Sequence, residues 1–94
     1  MNKQDLLYQA TLKFESLLIA TAKTDPDLME VIDQNCALFN DIKLGLITPP
    51  YLRTYKGHFH SEDPKYGGHT PLFSAEAEFI SALKDWRSKP WYPF

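Results

Sequence analysis

Three histidines, His58, His60 and His69, crowd into one short stretch, KGHFHSEDPKYGGH, with Glu62 and Asp63 among them. Imidazoles and carboxylates are common zinc ligands, and a zinc site needs three or four of them converging at about 2 Å. An extended chain would put His58 and His60 on one side, because side chains alternate along a strand, and His69 or Asp63 could close the set. The stretch offers no HExxH pattern and no cysteine pair. If it is instead a loop, the imidazoles make local hydrogen bonds or face water. Acid/base chemistry is no better supported. Glu62 and Asp63 are chain neighbours and would point apart, and nothing marks a nucleophile, an oxyanion hole or a cofactor loop beside His58 or His60. The two glycines of YGGHTP are a turn signal without phosphate-loop spacing. The expectation is a protein that is not an enzyme and uses no cofactor, with a metal site on His58, His60 and His69 as the alternative.

A second set of candidate residues is acidic. Asp25, Asp27, Glu30, Asp33 and Asp41 occur with no base between Lys23 and Lys43. Part of this charge suits a helix N-terminus. The remainder, Glu30, Asp33 and Asp41, falls on the polar side of the predicted second helix. It either faces water or docks on a basic partner, where complementary charge speeds association. Tyr55 and Tyr66 are the expected aromatic contacts of such a surface, since tyrosine is enriched at interfaces. The lone cysteine, Cys36, is expected to be a buried thiol beside Ile32 and Phe39.

Three helices must position these groups. Leu7, Ala10, Phe14, Leu17, Leu18 and Thr21 recur at three- and four-residue steps and predict a helix over 3–22, capped by Asn2 with Asp5 three residues on. In TAKTDPDL, Asp25 can cap and Pro26 can open a second helix. Its apolar stripe is Leu28, Val31, Ile32, Asn35, Leu38, Phe39 and Ile42, and it ends on Lys43 and Gly45. The short connection predicts an antiparallel hairpin. Asn35 interrupts the stripe. If buried, it must be hydrogen-bonded, and backbone of the middle segment near Pro49–Pro50 is the expected partner.

Regularity then lapses over 46–73, which Pro49, Pro50, Pro64, Gly67, Gly68 and Pro71 punctuate. A short helix capped by Thr48, opened by Pro49 and stopped by Gly57 is the preferred reading. It turns Tyr51, Leu52 and Tyr55 inward. A strand over 51–60 is the other. The third helix is predicted from Ser74, with Glu76 and Glu78 in its first turn and Phe79, Ile80, Leu83 and Trp86 on its apolar face, ending at SKP. Ten of the thirteen aromatic residues follow position 50. They are expected to fill the space that regular helices leave, and the WYPF tail is expected to fold back as core unless it anchors a partner or a second copy.

Composition sets the outer limits. With 94 residues, 44% hydrophobic and 23% charged, the chain fits one small soluble domain over 1–94, able to bury roughly 60–65% of its unfolded surface. A net charge of −2 with scattered bases argues against nucleic acid. Gln9, Lys13 and Glu15 interrupt the first helix, so neither a signal peptide nor a membrane span is expected, and a single cysteine fits a cytoplasmic chain.

The segments LFNDIKLGLITPPYL and AEAEFISALKDW, within 28–86, resemble stretches of small bacterial immunity proteins, which neutralise toxins of contact-dependent and other inter-bacterial competition. The resemblance implies a cytoplasmic, non-catalytic protein that grips a toxin domain through charged and aromatic surface. The fold expected is mainly α: a helical hairpin and a third helix, joined by a long irregular aromatic segment holding a short helix or a small β element. The function expected is binding and neutralising a basic toxin domain as a monomer or weak dimer. The alternatives are a metal- or ligand-binding domain and a self-associating structural or regulatory protein.

Overall fold

The computed structural model describes residues 2–53, 55, 59 and 70–85. Among these residues there are three helices: α1 (Lys3–Ala22), α2 (Leu28–Lys43) and α3 (Thr70–Leu83). No strand occurs among the described residues, and no helix there is long and apolar enough to cross a membrane.

The start of α1 follows its cap. Asn2 is extended, and its side-chain oxygen accepts the Asp5 N–H at 2.9 Å, which satisfies one of the helix's unpaired amides. Leu7, Thr11, Phe14 and Leu18 form the buried stripe. Thr11 is tolerated there because its hydroxyl donates back to the Leu7 carbonyl at 2.7 Å.

Between α1 and α2 the chain turns tightly. The Asp25 carboxylate accepts the Asp27 N–H at 3.3 Å. The next bonds, Leu28 to Asp25, Met29 to Pro26 and Glu30 to Asp27, all close over three residues. They make a 3₁₀ lead-in, so α2 proper starts at Leu28, two residues after Pro26. At the other end Gly45 takes φ +75°. Its N–H bonds the Ile42 carbonyl, and the Leu46 N–H bonds the Asp41 carbonyl. This is the paired closure that a left-handed residue after a helix makes available.

α3 departs from expectation at both ends. It begins at Thr70, not Ser74, which lies inside the helix and is exposed. Pro71 sits in the first turn, where its missing N–H would find no helical partner anyway, so it opens the helix instead of delaying it. The helix stops at Leu83 because Asp85 turns left-handed, φ 55°. Aspartate is among the few non-glycine residues that enter this region readily. Asp85 then pairs with Lys3 at 2.9 Å, which ties the end of α3 to the start of α1. Trp86 and the WYPF tail lie outside the described residues.

α1 is the middle element. It packs against α2 on one flank and α3 on the other. No Cα of α2 comes within 8 Å of one of α3, yet the rings of Phe39 and Phe79 meet between them at 5.6 Å and 90°. Phe14 touches both, at 5.8 Å from Phe39 and 5.5 Å from Phe79. Phe59 adds an edge-to-face contact to Phe14 at 6.1 Å. These four buried rings are the centre of the core, in the edge-on and tilted geometries that aromatic quadrupoles favour.

The segment after α2 is not a helix over its described residues. Thr48 does not cap; its hydroxyl accepts from the Gln4 side chain at 3.2 Å. Pro49 precedes another proline and is steered away from the helical region, and the Pro49–Pro50 peptide is cis. The Tyr51 N–H is taken by the Leu83 carbonyl at 2.8 Å. Leu52, expected to face inward, is 92% exposed. The stretch runs as an irregular strap against the end of α3.

Candidate partner-binding face

The geometry of α2 follows from its stripe. Leu28, Val31, Asn35, Phe39 and Ile42 are buried, and the opposite side of the helix carries Met29, Glu30, Asp33, Gln34, Ala37 and Asp41, all exposed. Glu30, Asp33 and Asp41 therefore share one outer face, as their spacing requires at 100° per residue. From Glu30 to Asp41 the face is about 16 Å long at the helical rise. Met29, one turn before Asp33, adds a half-exposed thioether.

The nearby cations point elsewhere. Lys43 bridges to Glu15 on α1, Lys13 bridges to Glu78 on α3 at 3.1 Å, and Lys3 is held by Asp85. Glu30 accepts a long bond from the Gln34 amide at 3.5 Å. Among the described residues, Asp33 and Asp41 are in no ion pair. Asp33 and Asp41 are thus exposed and, among the described residues, not paired with a cation.

Tyr55 belongs to a different environment from the one expected. Its ring packs on Phe79 at 5.4 Å, and its hydroxyl donates to the Glu76 carboxylate at 3.1 Å while accepting from the Asn35 amide at 3.4 Å. Burial pushes the phenol well above its ordinary range. The Glu76 charge and the hydrogen bond to it push in the same direction, and the Asn35 bond pulls back. The hydroxyl is therefore committed inward, and the half-buried Tyr55 bridges α2 and α3. Asn35 is buried and hydrogen-bonded, as a buried amide must be. Its partner is the Tyr55 hydroxyl and not backbone near Pro49–Pro50.

Glu76 is the residue that sequence reasoning misplaced. It is 2% exposed and accepts the Phe59 N–H at 3.1 Å on its other carboxylate oxygen. Once α3 begins at Thr70, Leu72, Glu76, Phe79 and Leu83 form one stripe, so a carboxylate at a core position was readable. Starting the helix at Ser74 hid it by assigning Glu76 to a solvated first turn. Buried carboxylates are tolerated only when their lone pairs are taken up, and among the described residues no buried side-chain N or O atom lacks a partner.

Cys36 is exposed, correcting the buried thiol. It follows Asn35 by one residue, so it is rotated about 100° off the buried stripe. The Asn40 amide approaches its sulfur at 3.8 Å. His58, His60, His69 and Tyr66 lie outside the described residues, and no cluster of three or more metal-ligating side chains occurs among the described ones. Compared with protein-family models, with curated proteins and with solved structures, the chain matches none.

Proposed function

We propose that this chain is a non-catalytic binding protein whose α2 outer face, Glu30, Asp33 and Asp41, docks on a basic patch of another protein, and that the partner is a bacterial toxin domain held inactive by the complex. The observation that carries the docking face is the exposure of Asp33 and Asp41 without an ion pair among the described residues, while Lys43, Lys13 and Lys3 are paired with other acids. Exposed carboxylates such as Asp33 and Asp41, carried on one helix face, raise the encounter rate with a basic surface and fix its orientation. Met29 and Ala37 lie among the acids and supply apolar area that can be desolvated. The resemblance of 28–86 to immunity proteins gives the partner its class.

The test uses the product of the gene adjacent to the one encoding this chain. Cells that make that product alone should stop growing, and co-production of this chain should restore growth. Calorimetric titration at low and high ionic strength should show binding that weakens with salt. The triple variant Glu30→Lys, Asp33→Lys, Asp41→Lys should lose about 100-fold or more in affinity and most of the salt dependence, following from the loss and reversal of complementary charge. A harmless neighbour would overturn the toxin assignment. Unchanged affinity of a folded triple variant would overturn the acidic face.

A further inference from the structure

α1 buries one stripe and leaves a second apolar stripe in water. Leu7, Thr11, Phe14 and Leu18 face the core. Tyr8, Leu12 and Ile19 are the large hydrophobic residues of α1 that stay exposed, at 41%, 37% and 50%. They are not scattered. At 100° per residue the three fall within about 40° of one another, roughly 130° around the helix from the buried stripe.

The same line continues in the middle and at both ends. Asp5, Ser16 and Lys23 lie on it, and all three are exposed. Lys23 directly follows the helix with helical dihedrals, φ −65° and ψ −29°, so it keeps the register. The line reads Asp5, Tyr8, Leu12, Ser16, Ile19, Lys23, in the three- and four-residue steps of a helix–helix seam. At the helical rise it is about 27 Å long. Among the described residues neither Asp5 nor Lys23 is in an ion pair, whereas Lys3, Lys13 and Lys43 each are.

The order along the line selects its occupant. One acid and one base stand at opposite ends, so the line favours neither an acidic nor a basic surface. It is nearly symmetric about the level of Phe14. Asp5 and Lys23 are equally far from that level along the chain, as are Leu12 and Ser16, and Tyr8 and Ile19 match to within one residue. Turned end for end, the line is therefore its own complement. Asp5 meets Lys23, Tyr8 meets Ile19, and Leu12 fits over the small Ser16, each pairing occurring twice. An interface about a twofold axis requires this self-complementarity.

We propose that this outer stripe of α1 is a self-association surface, on which a second copy of the chain packs α1 against α1, antiparallel, about a twofold axis at the level of Phe14. It lies on a different helix from Glu30, Asp33 and Asp41 and does not depend on the acidic face. A stripe one helix wide offers less than the roughly 800 Å² per partner of a stable interface, so the dimer is weak, with a dissociation constant on the order of 100 µM. The two exposed Asp5–Lys23 pairs add little strength and fix the direction in which the copies meet.

Sedimentation equilibrium of the full chain from about 10 µM to about 1 mM tests this, and should show monomer giving way to dimer across that range. Leu12→Glu puts a carboxylate on each side of the axis and should raise the dissociation constant at least about tenfold. Leu12 is exposed, so the circular dichroism spectrum should not change. Asp5→Lys and Lys23→Asp each turn two attractions into two repulsions, and each should weaken the dimer about tenfold. The double exchange, Asp5→Lys with Lys23→Asp, should return the dissociation constant to within about threefold of the wild type, since it restores both pairs with their signs reversed. A chain still monomeric at about 1 mM would overturn the proposal and leave the stripe to a different protein. A dimer that Leu12→Glu leaves intact would overturn it by placing the contact elsewhere. Single reversals without effect, or a double exchange that fails to restore association, would overturn the antiparallel order.

Discussion

Removing the Phe79 ring is the sharpest probe of how this fold is held together. The ring is fully buried and lies 5.4–5.6 Å from three others, Phe14, Phe39 and Tyr55. Phe→Ala in a packed core costs about 3–5 kcal/mol, through lost transfer energy and the cavity left behind. Phe79 should sit at the upper end, because its neighbours are anchored on separate elements, α1, α2 and the strap, and cannot all relax into one hole. A domain of this length has a total stability on the order of 5–14 kcal/mol. Phe79→Ala should therefore remove a third or more of it, and unfold the protein outright if total stability lies at the low end. In urea, with a slope of about 2 kcal/mol/M, the midpoint should fall by about 2 M. Phe73→Ala on the same helix is the control: Phe73 is 43% exposed, so the same chemical deletion should cost about 1 kcal/mol or less. Both midpoints can be read from far-UV circular dichroism. A loss below about 1 kcal/mol for Phe79→Ala, or equal losses for the two variants, would refute the placement of this ring at the junction of three elements.

Three further outcomes follow from the geometry. Tyr55→Phe should lower stability by about 1–2 kcal/mol, because it strips a hydrogen bond from a buried carboxylate and another from a buried amide; denaturant melts of both proteins measure it. Tyr55 also sets an alkaline limit: its phenol is raised in the folded state relative to about 10 in the unfolded chain, so the folded form holds its proton longer, and the stability this confers is present below pH 10 and lost as pH climbs beyond it. The wild type should accordingly lose stability above about pH 10 more steeply than Tyr55→Phe. Gly45→Ala should cost about 1–2 kcal/mol by thermal or chemical melt, entirely through the backbone, since φ is +75° while an added Cβ would meet nothing within 4 Å. A neutral result there would mean the end of α2 can refold into a right-handed cap.

What the sequence determined by itself is local. The bounds of α1, the Asn2 cap, the stripe of α2 and the Gly45 stop all depend on residues within about one turn of each other, and each is read from periodicity and capping chemistry. The outer acidic face of α2 was legible for the same reason: once the buried stripe is known, register alone places Glu30, Asp33 and Asp41 on the far side. Cys36 could have been placed by the same register, and the appeal to average thiol burial overrode it. The tertiary structure decided everything whose partner is distant along the chain. Tyr55 and Asn35 are 20 residues apart, Tyr55 and Glu76 are 21 apart, and Tyr51 lies 33 residues from Lys84. No local rule could choose between a tyrosine facing a partner and one facing a buried carboxylate. That choice rests on the gap between α2 and α3. An aromatic ring fills it, and a carboxylate removed from water must find donors there.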